Sequence, residues 1–140
     1  KLFPGANPKR TQKKRSSIFI ILENKKGDVL LEKRATTGIW GGLWSFPEAT
    51  DYATAKKLVL RLSGTDDFDC EELPSLTHQF THFKLLIKPL HFVIKDHIGI
   101  SKKNDRIWVG SESLDNLGLP KPIRGLLERV SFRQKERRSG

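Results

Sequence analysis

Residues 17–34, SIFIILENKKGDVLLEKR, hold two short runs of apolar and β-branched residues on either side of NKKGD. Such runs favour extended, pleated backbone, and an Asn/Gly/Asp-bearing centre favours a tight turn, so the stretch predicts a β-hairpin. A Gly-dense loop with two Trp follows, ATTGIWGGLWSFPEAT, with a short strand expected near Trp44–Phe46. Thr50 or Asp51 can cap a helix whose apolar positions Ala55, Leu58, Val59 and Leu62 keep helical spacing, and Gly64 ends it. The acidic DDFDCEE reads as a solvated connection, and LPSLTHQFTHFKLLIKPLHFVIK as two extended segments. A second loop, KDHIGISKKND, leads to a short strand, RIWVG. Last comes a helix over PIRGLLERV, with Pro122 in its first turn and Ile123, Leu126, Leu127 and Val130 on one face. The order β-β-(β)-α-β-β-β-α predicts an α+β or α/β domain with a mixed sheet and flanking helices.

A chain of 140 residues suits one domain with a single substantial core. The net charge of +10 is unevenly placed. Residues 1–15 carry six basic groups and no acid, residues 129–140 carry five and Glu136, and 16–128 balance at 15 of each. The ends hold the whole excess. Basic tails contact phosphates without specifying sequence, and they serve equally as solubilising linkers. The expected division is a basic linker over 1–16, a folded domain over 17–132 and a basic flexible tail over 133–140. The lone Cys70 excludes a disulfide framework, an iron–sulfur cluster and a Cys-rich zinc module within the chain, and fits a reducing compartment. No apolar run approaches bilayer-spanning length, and KLFPGANPKR lacks the apolar stretch of a signal peptide. The chain also lacks Met altogether, so an excised piece of a longer protein is expected.

Gly42 is followed six residues later by Glu48 and then by a helix, which resembles the opening of the Nudix motif, G-x5-E-x7-R-E-U-x-E-E-x-G-U with U a bulky aliphatic. In that family the carboxylates gather divalent cations, and hard cations require oxygen ligands. Here the Arg-Glu pair falls on Lys56 and Lys57, the Glu-Glu pair on Leu60 and Arg61, and the Gly on Ser63. Only Leu58 keeps its aliphatic place. Leu, Arg and Lys cannot build a metal site, so the box is degenerate and Glu48 is expected at the surface or as a cap.

A Nudix frame without its ligands, together with LLEKRATTGIWGGLWSFP, HQFTHF and GLPKPIRGLLE, resembles the C-terminal domain of the MutY family of adenine DNA glycosylases. The likeness covers nearly the whole chain, the basic linker included. It implies a Nudix-like fold that senses 8-oxoguanine opposite adenine while a separate N-terminal catalytic domain excises the adenine. It implies two partners, double-stranded DNA containing A:8-oxoG mispairs and that catalytic domain. A [4Fe-4S] cluster is implied for the N-terminal part, with no cofactor, metal or catalytic residue in this domain. A monomer in the bacterial cytoplasm, associated with the nucleoid and not with a membrane, completes the expectation.

The four histidines lie between 78 and 97 and invite a metal. In extended backbone His78 and His82 would stand about 13 Å apart, four residues at roughly 3.3 Å each, and Gln79 lacks the carboxylate that a H-E-x-x-H site uses as base. On residues alone, Phe80 and Phe83 read equally as core. The resemblance aligns Phe80-Thr81-His82 with the family's F-[ST]-H loop, which makes these three residues, flanked by His78 and Gln79, the expected lesion reader. Guanine N7 is an acceptor, whereas 8-oxoguanine carries a hydrogen there, so an acceptor discriminates between them. The Thr81 hydroxyl or a loop carbonyl can be that acceptor. Phe80 offers an apolar face or wedge. His82 contacts the lesion's edge or a phosphate, or only shapes the loop. Lys33, Arg34 and Lys84 are candidate phosphate contacts and equally solvated surface. Trp40 and Trp44 could stack on a base but are better read as core. Cys70, set among acids, reads as an unreactive thiol. Two other functions compete: a hydrolase of oxidised nucleotides such as 8-oxo-dGTP, against which the missing carboxylates count, and a protein-interaction domain tethered by its tails.

Overall fold

In a computed structural model the described residues are 13–95 and 105–139. The first strand, β1 (Lys13–Glu23), supplies the apolar run of the hairpin and turns at Asn24–Asp28 into β2 (Val29–Lys33). The Asn24 side chain accepts hydrogen bonds from the backbone N–H groups of Lys26 (3.0 Å) and Asp28 (2.9 Å), the local bonding expected of Asn in a turn. Two-residue strands β3 (Trp44–Ser45) and β4 (Glu48–Ala49) precede α1 (Tyr52–Ser63). Asp51 caps α1 through a 2.7 Å bond from the Thr54 N–H, and Gly64 ends it at φ 79°, a left-handed conformation that glycine adopts without steric cost.

Beyond α1 come β5 (Phe68–Glu72), β6 (Leu76–Gln79), β7 (Phe83–Ile94), β8 (Arg106–Val109), a 3-10 turn (Ser111–Asn116) and α2 (Lys121–Ser139). The sheet runs β3-β2-β1-β7-β5, with β4 also on β1, β6 on β7 and β8 on β2. Its centre is a parallel ladder of β1 on β7, from Lys13↔Phe83 to Glu23↔Val93; the other pairings are antiparallel. Side-chain alternation divides the centre between two layers. Phe19, Ile21, Leu85 and Ile87 pack with Ile123, Leu126, Leu127 and Val130 of α2. Ile20, Leu22, Phe92 and Ile94 pack with Ala55, Val59 and Leu62 of α1. The mixed sheet with flanking helices is thus the expected fold.

Four expectations change. The acidic stretch is not a free connection: its last five residues are β5, whose partners on β7 lie 18 to 26 positions away. Residues 13–16 are not linker but the start of β1, where they extend the parallel ladder; residues 1–12 lie outside the described part. Residues 133–139 are not a tail but the last turns of α2, fixed by an Arg133–Glu71 ion pair, by Gln134 Nε2 donating to the Gly27 carbonyl (2.9 Å) and by Arg137 on Glu23. Glu48 is neither a free surface residue nor a cap. It sits half-buried in β4, where its carboxylate accepts from Ser17 Oγ (2.8 Å) and pairs with Arg34. Most of the KDHIGISKKND loop, with His97, lies outside the described residues.

Candidate nucleic-acid interface

The short connection between β6 and β7 is Phe80-Thr81-His82, closed by the Phe80 N–H donating to the Phe83 carbonyl (2.8 Å). Gln79 ties it down from within, its side-chain amide donating to the carbonyls of Phe80 (2.6 Å) and Phe83 (3.2 Å). Phe80 turns inward. Its ring stacks on Phe83 (centroids 4.6 Å, planes 19° apart) and meets His78 at 4.7 Å and Trp40 at 5.3 Å. Half-buried, with one face on Phe83 and two further rings beside it, Phe80 supports the tip. Thr81 and His82 are exposed at the tip. Because the Phe80 and Phe83 carbonyls already accept hydrogen bonds, the acceptors left at the tip are the Thr81 hydroxyl and the carbonyls of Thr81 and His82.

The platform beneath this tip comes from four parts of the chain. Phe83 is buried from below and carries the Arg15 guanidinium over its ring at 4.3 Å, a cation–π contact that places a charge beside the hairpin. Trp40 reaches His78 (5.6 Å) and Phe19 (6.2 Å) from the Gly-rich loop, adopting a left-handed φ of 53° to do so. That backbone is uncommon for a bulky residue and persists only where its surroundings hold it. They do: a Cβ on Gly41 would stand 2.3 Å from the Thr36 carbonyl oxygen, so only glycine permits the close packing of this loop. Trp40 and Trp44 are both half-buried against the α2-side core, which confirms their structural reading.

Arg34 is not turned towards a phosphate. Its guanidinium pairs with Glu48, donates through Nε to the Ile39 carbonyl (3.0 Å) and lies 5.9 Å from the Trp40 ring. The first carboxylate of the degenerate box is therefore held by a protein cation. Of the other box positions, Lys56 lies over the Tyr52 ring at 5.4 Å and Leu60 is exposed. Among the described residues no three His, Cys, Asp or Glu side chains gather as a metal-holding group. Lys33 and Lys84 are both exposed. The roles that reading the sequence missed here are Arg15 as part of the platform and Gln79 as the loop's internal tie. Phe83 is buried, as its reading as core expected, and its place in the period-2 pattern of FKLLIKPL agrees.

His91 takes no part in the interface. It is buried at the far end of β7, with Nε2 2.7 Å from Glu23 Oε1, and Arg137 completes the group at 2.9 and 3.1 Å. Burial alone would raise the Glu23 carboxyl, but hydrogen bonds from His91, Arg137 and Gln134 outweigh it and hold the carboxyl below its ordinary value. Cys70 is half-buried, and burial followed by the Glu72 charge raises its thiol despite a hydrogen bond with Tyr52, in line with an unreactive cysteine. No described helix is long and apolar enough to cross a membrane.

Comparison with known proteins bears on the fold and the family. The adenine DNA glycosylase of Buchnera aphidicola subsp. Acyrthosiphon pisum is 29% identical over 133 residues, covering 90% of this chain and 36% of that protein. The chain spans about a third of the length of the curated relatives it matches. Among solved structures, MutT from Methanosarcina mazei Go1 aligns with a TM-score of 0.66 at 19% identity, over 89% of this chain and 97% of that one. The C-terminal domain of mouse MUTYH, solved in complex with human PCNA, also aligns at 0.66, with 18% identity over 86% of this chain and 89% of that one. At such identities the two structures speak for the fold alone. Residues 18–129 match the family model described as NUDIX domain, and with most of its length inside that match the chain belongs to the Nudix domain family.

Proposed function

We propose that this chain is the lesion-recognition domain of an adenine DNA glycosylase, sensing 8-oxoguanine opposite adenine while a separate catalytic domain of the same protein removes the adenine. The observation that supports it most is the hairpin tip. Thr81 and His82 stand exposed on a loop tied by Gln79 and backed by Phe80, Phe83 and Trp40. A rigid tip bearing an acceptor suits the reading of one added hydrogen at N7, because an unmodified guanine would set acceptor against acceptor. The likeness to adenine DNA glycosylases over 90% of the chain supports the same assignment. Hydrolysis by the box itself is disfavoured by the pairing of Glu48 with Arg34 and by Leu60 and Arg61 at ligand positions. A four-thiolate iron–sulfur cluster does not fit a chain whose only cysteine is Cys70, so such a cluster would belong to the catalytic portion.

The test is single-turnover adenine excision by the complete glycosylase on A:8-oxoG and A:G duplexes. Replacing Phe80 and Thr81 together by Ala is expected to reduce the preference for the oxidised partner by about tenfold, the kinetic equivalent of one hydrogen bond near 1.4 kcal/mol. Excision from A:G should hardly change. A preference equal to that of the parent would overturn the hairpin as reader.

A further inference from the structure

The sheet is covered unevenly. On the face where α1 packs, the ends of β1 and β7 nearest Glu23 are buried as Ile20, Leu22, Leu90, Phe92 and Ile94. At the other end of the same face, alternation brings out Lys14, Ser16, Lys84, Leu86 and Lys88, all exposed. Neighbouring β6 adds the exposed Thr77 opposite Leu86. Among the described residues, half of one sheet face is therefore uncovered.

Its charge is one-sided. Lys14 and Lys84 are direct register partners in the parallel ladder, so two ammonium-bearing chains leave the same face on strands about 4.8 Å apart. Like charges so placed repel, and among the described residues neither lysine has an acid within ion-pair distance. Lys88 follows on β7, roughly 13 Å further at about 3.3 Å per residue. Glu72 lines the same cavity as Lys88 without forming an ion pair to it. An arrangement that costs stability in the free chain and is relieved by a polyanion points to the polyanion as its occupant. The position selects which one: Lys84 is the register partner of Gln79, the residue that ties the reading hairpin, so the lysines begin where the tip ends.

We infer that this uncovered half-sheet is a backbone platform for the same duplex whose lesion meets the hairpin, with Lys14, Lys84 and Lys88 on phosphates and Leu86 between them. The inference rests on the DNA reading proposed above. It departs from the sequence expectation in setting Lys14 and Lys88 beside Lys84 in place of Lys33 and Arg34.

The experiment titrates the 140-residue chain with an undamaged fluorescent duplex between about 50 and 200 mM salt. The variant K14Q/K84Q/K88Q is compared with K25Q/K26Q/R138Q, which removes equal charge at the Glu23 end. Each phosphate contact contributes about 0.9 to the slope of log K against log salt. The first variant should lose about 2 to 3 from the slope, while the second stays near the parent. Equal losses in both, or no loss in the first, would overturn the platform; the latter would leave the face to an acidic protein surface. T81A should not alter this slope, so a failure of lesion reading shows separately in the excision assay. A chain that binds no duplex would overturn platform and DNA reading together.

Discussion

The two ends of the β1–β7 ladder carry similar side chains and use them in opposite ways. At the Glu23 end, cations are absorbed by the fold. Arg137 closes on the buried Glu23 carboxylate beside the His91 ring, and Arg133 finds Glu71. At the Lys13 end, Arg15 lies on the Phe83 ring, and Lys14 and Lys84 stand side by side with no acid paired to them among the described residues. Buried charge at one end helps seat α2 on the sheet; charge at the other end stays exposed. A net charge of +10 therefore says less about binding than the count of cations that the fold does not consume.

Breaking the consumed end should have the largest effect on stability. Glu23→Ala leaves His91 and Arg137 without their carboxylate, and loss of one member of a buried ionic group costs about 3 kcal/mol. Urea denaturation should register it, with DNA binding of the remaining folded chain unchanged. Acid sharpens the same contrast. The folded-state Glu23 carboxyl lies below its ordinary value of 4.5, so its contribution is complete above that value and disappears as pH falls through the lower folded one. Unfolding measured from pH 6 downward should lose stability below about pH 4.5, and Glu23→Gln should flatten that part of the profile. The smallest effect belongs to the exposed end. Gln79→Ala removes two donors from the hairpin carbonyls at a cost of about 1 kcal/mol. Because it loosens the tip, this variant should also weaken lesion discrimination in the excision assay; unchanged discrimination would make Gln79 a purely local tie.

Much of the fold was legible because its signals are local. The NKKGD turn, the Asp51 cap, Gly64 and the apolar faces of both helices each depend on residues within a turn or two of one another. The misread parts depend on distant partners. DDFDCEE looks solvated until β7 supplies its pairing, and 133–139 looks like a tail until Glu23 and Glu71 supply acids from far along the chain. The site divides the same way. Phe80-Thr81-His82 stood out through a resemblance, and its exposure pattern separates the inward Phe80 from the outward Thr81 and His82. That Arg34 would turn to Glu48, or that Lys14 would meet Lys84, required the sheet register.

That register also bears on how the molecule forms. Every β1–β7 pair joins residues 70 positions apart, and β1 and β7 are the hosts for β2, β4, β5 and β6. Closing such a loop costs entropy before any pairing rewards it, and chains dominated by distant pairings fold slowly. The β6–β7 hairpin is local and can gather early, yet Lys14 reaches Lys84 only when the long loop shuts. The lysine pairing therefore waits on this long-range closure, and a half-folded chain would hold the hairpin tip without the paired lysines beside it.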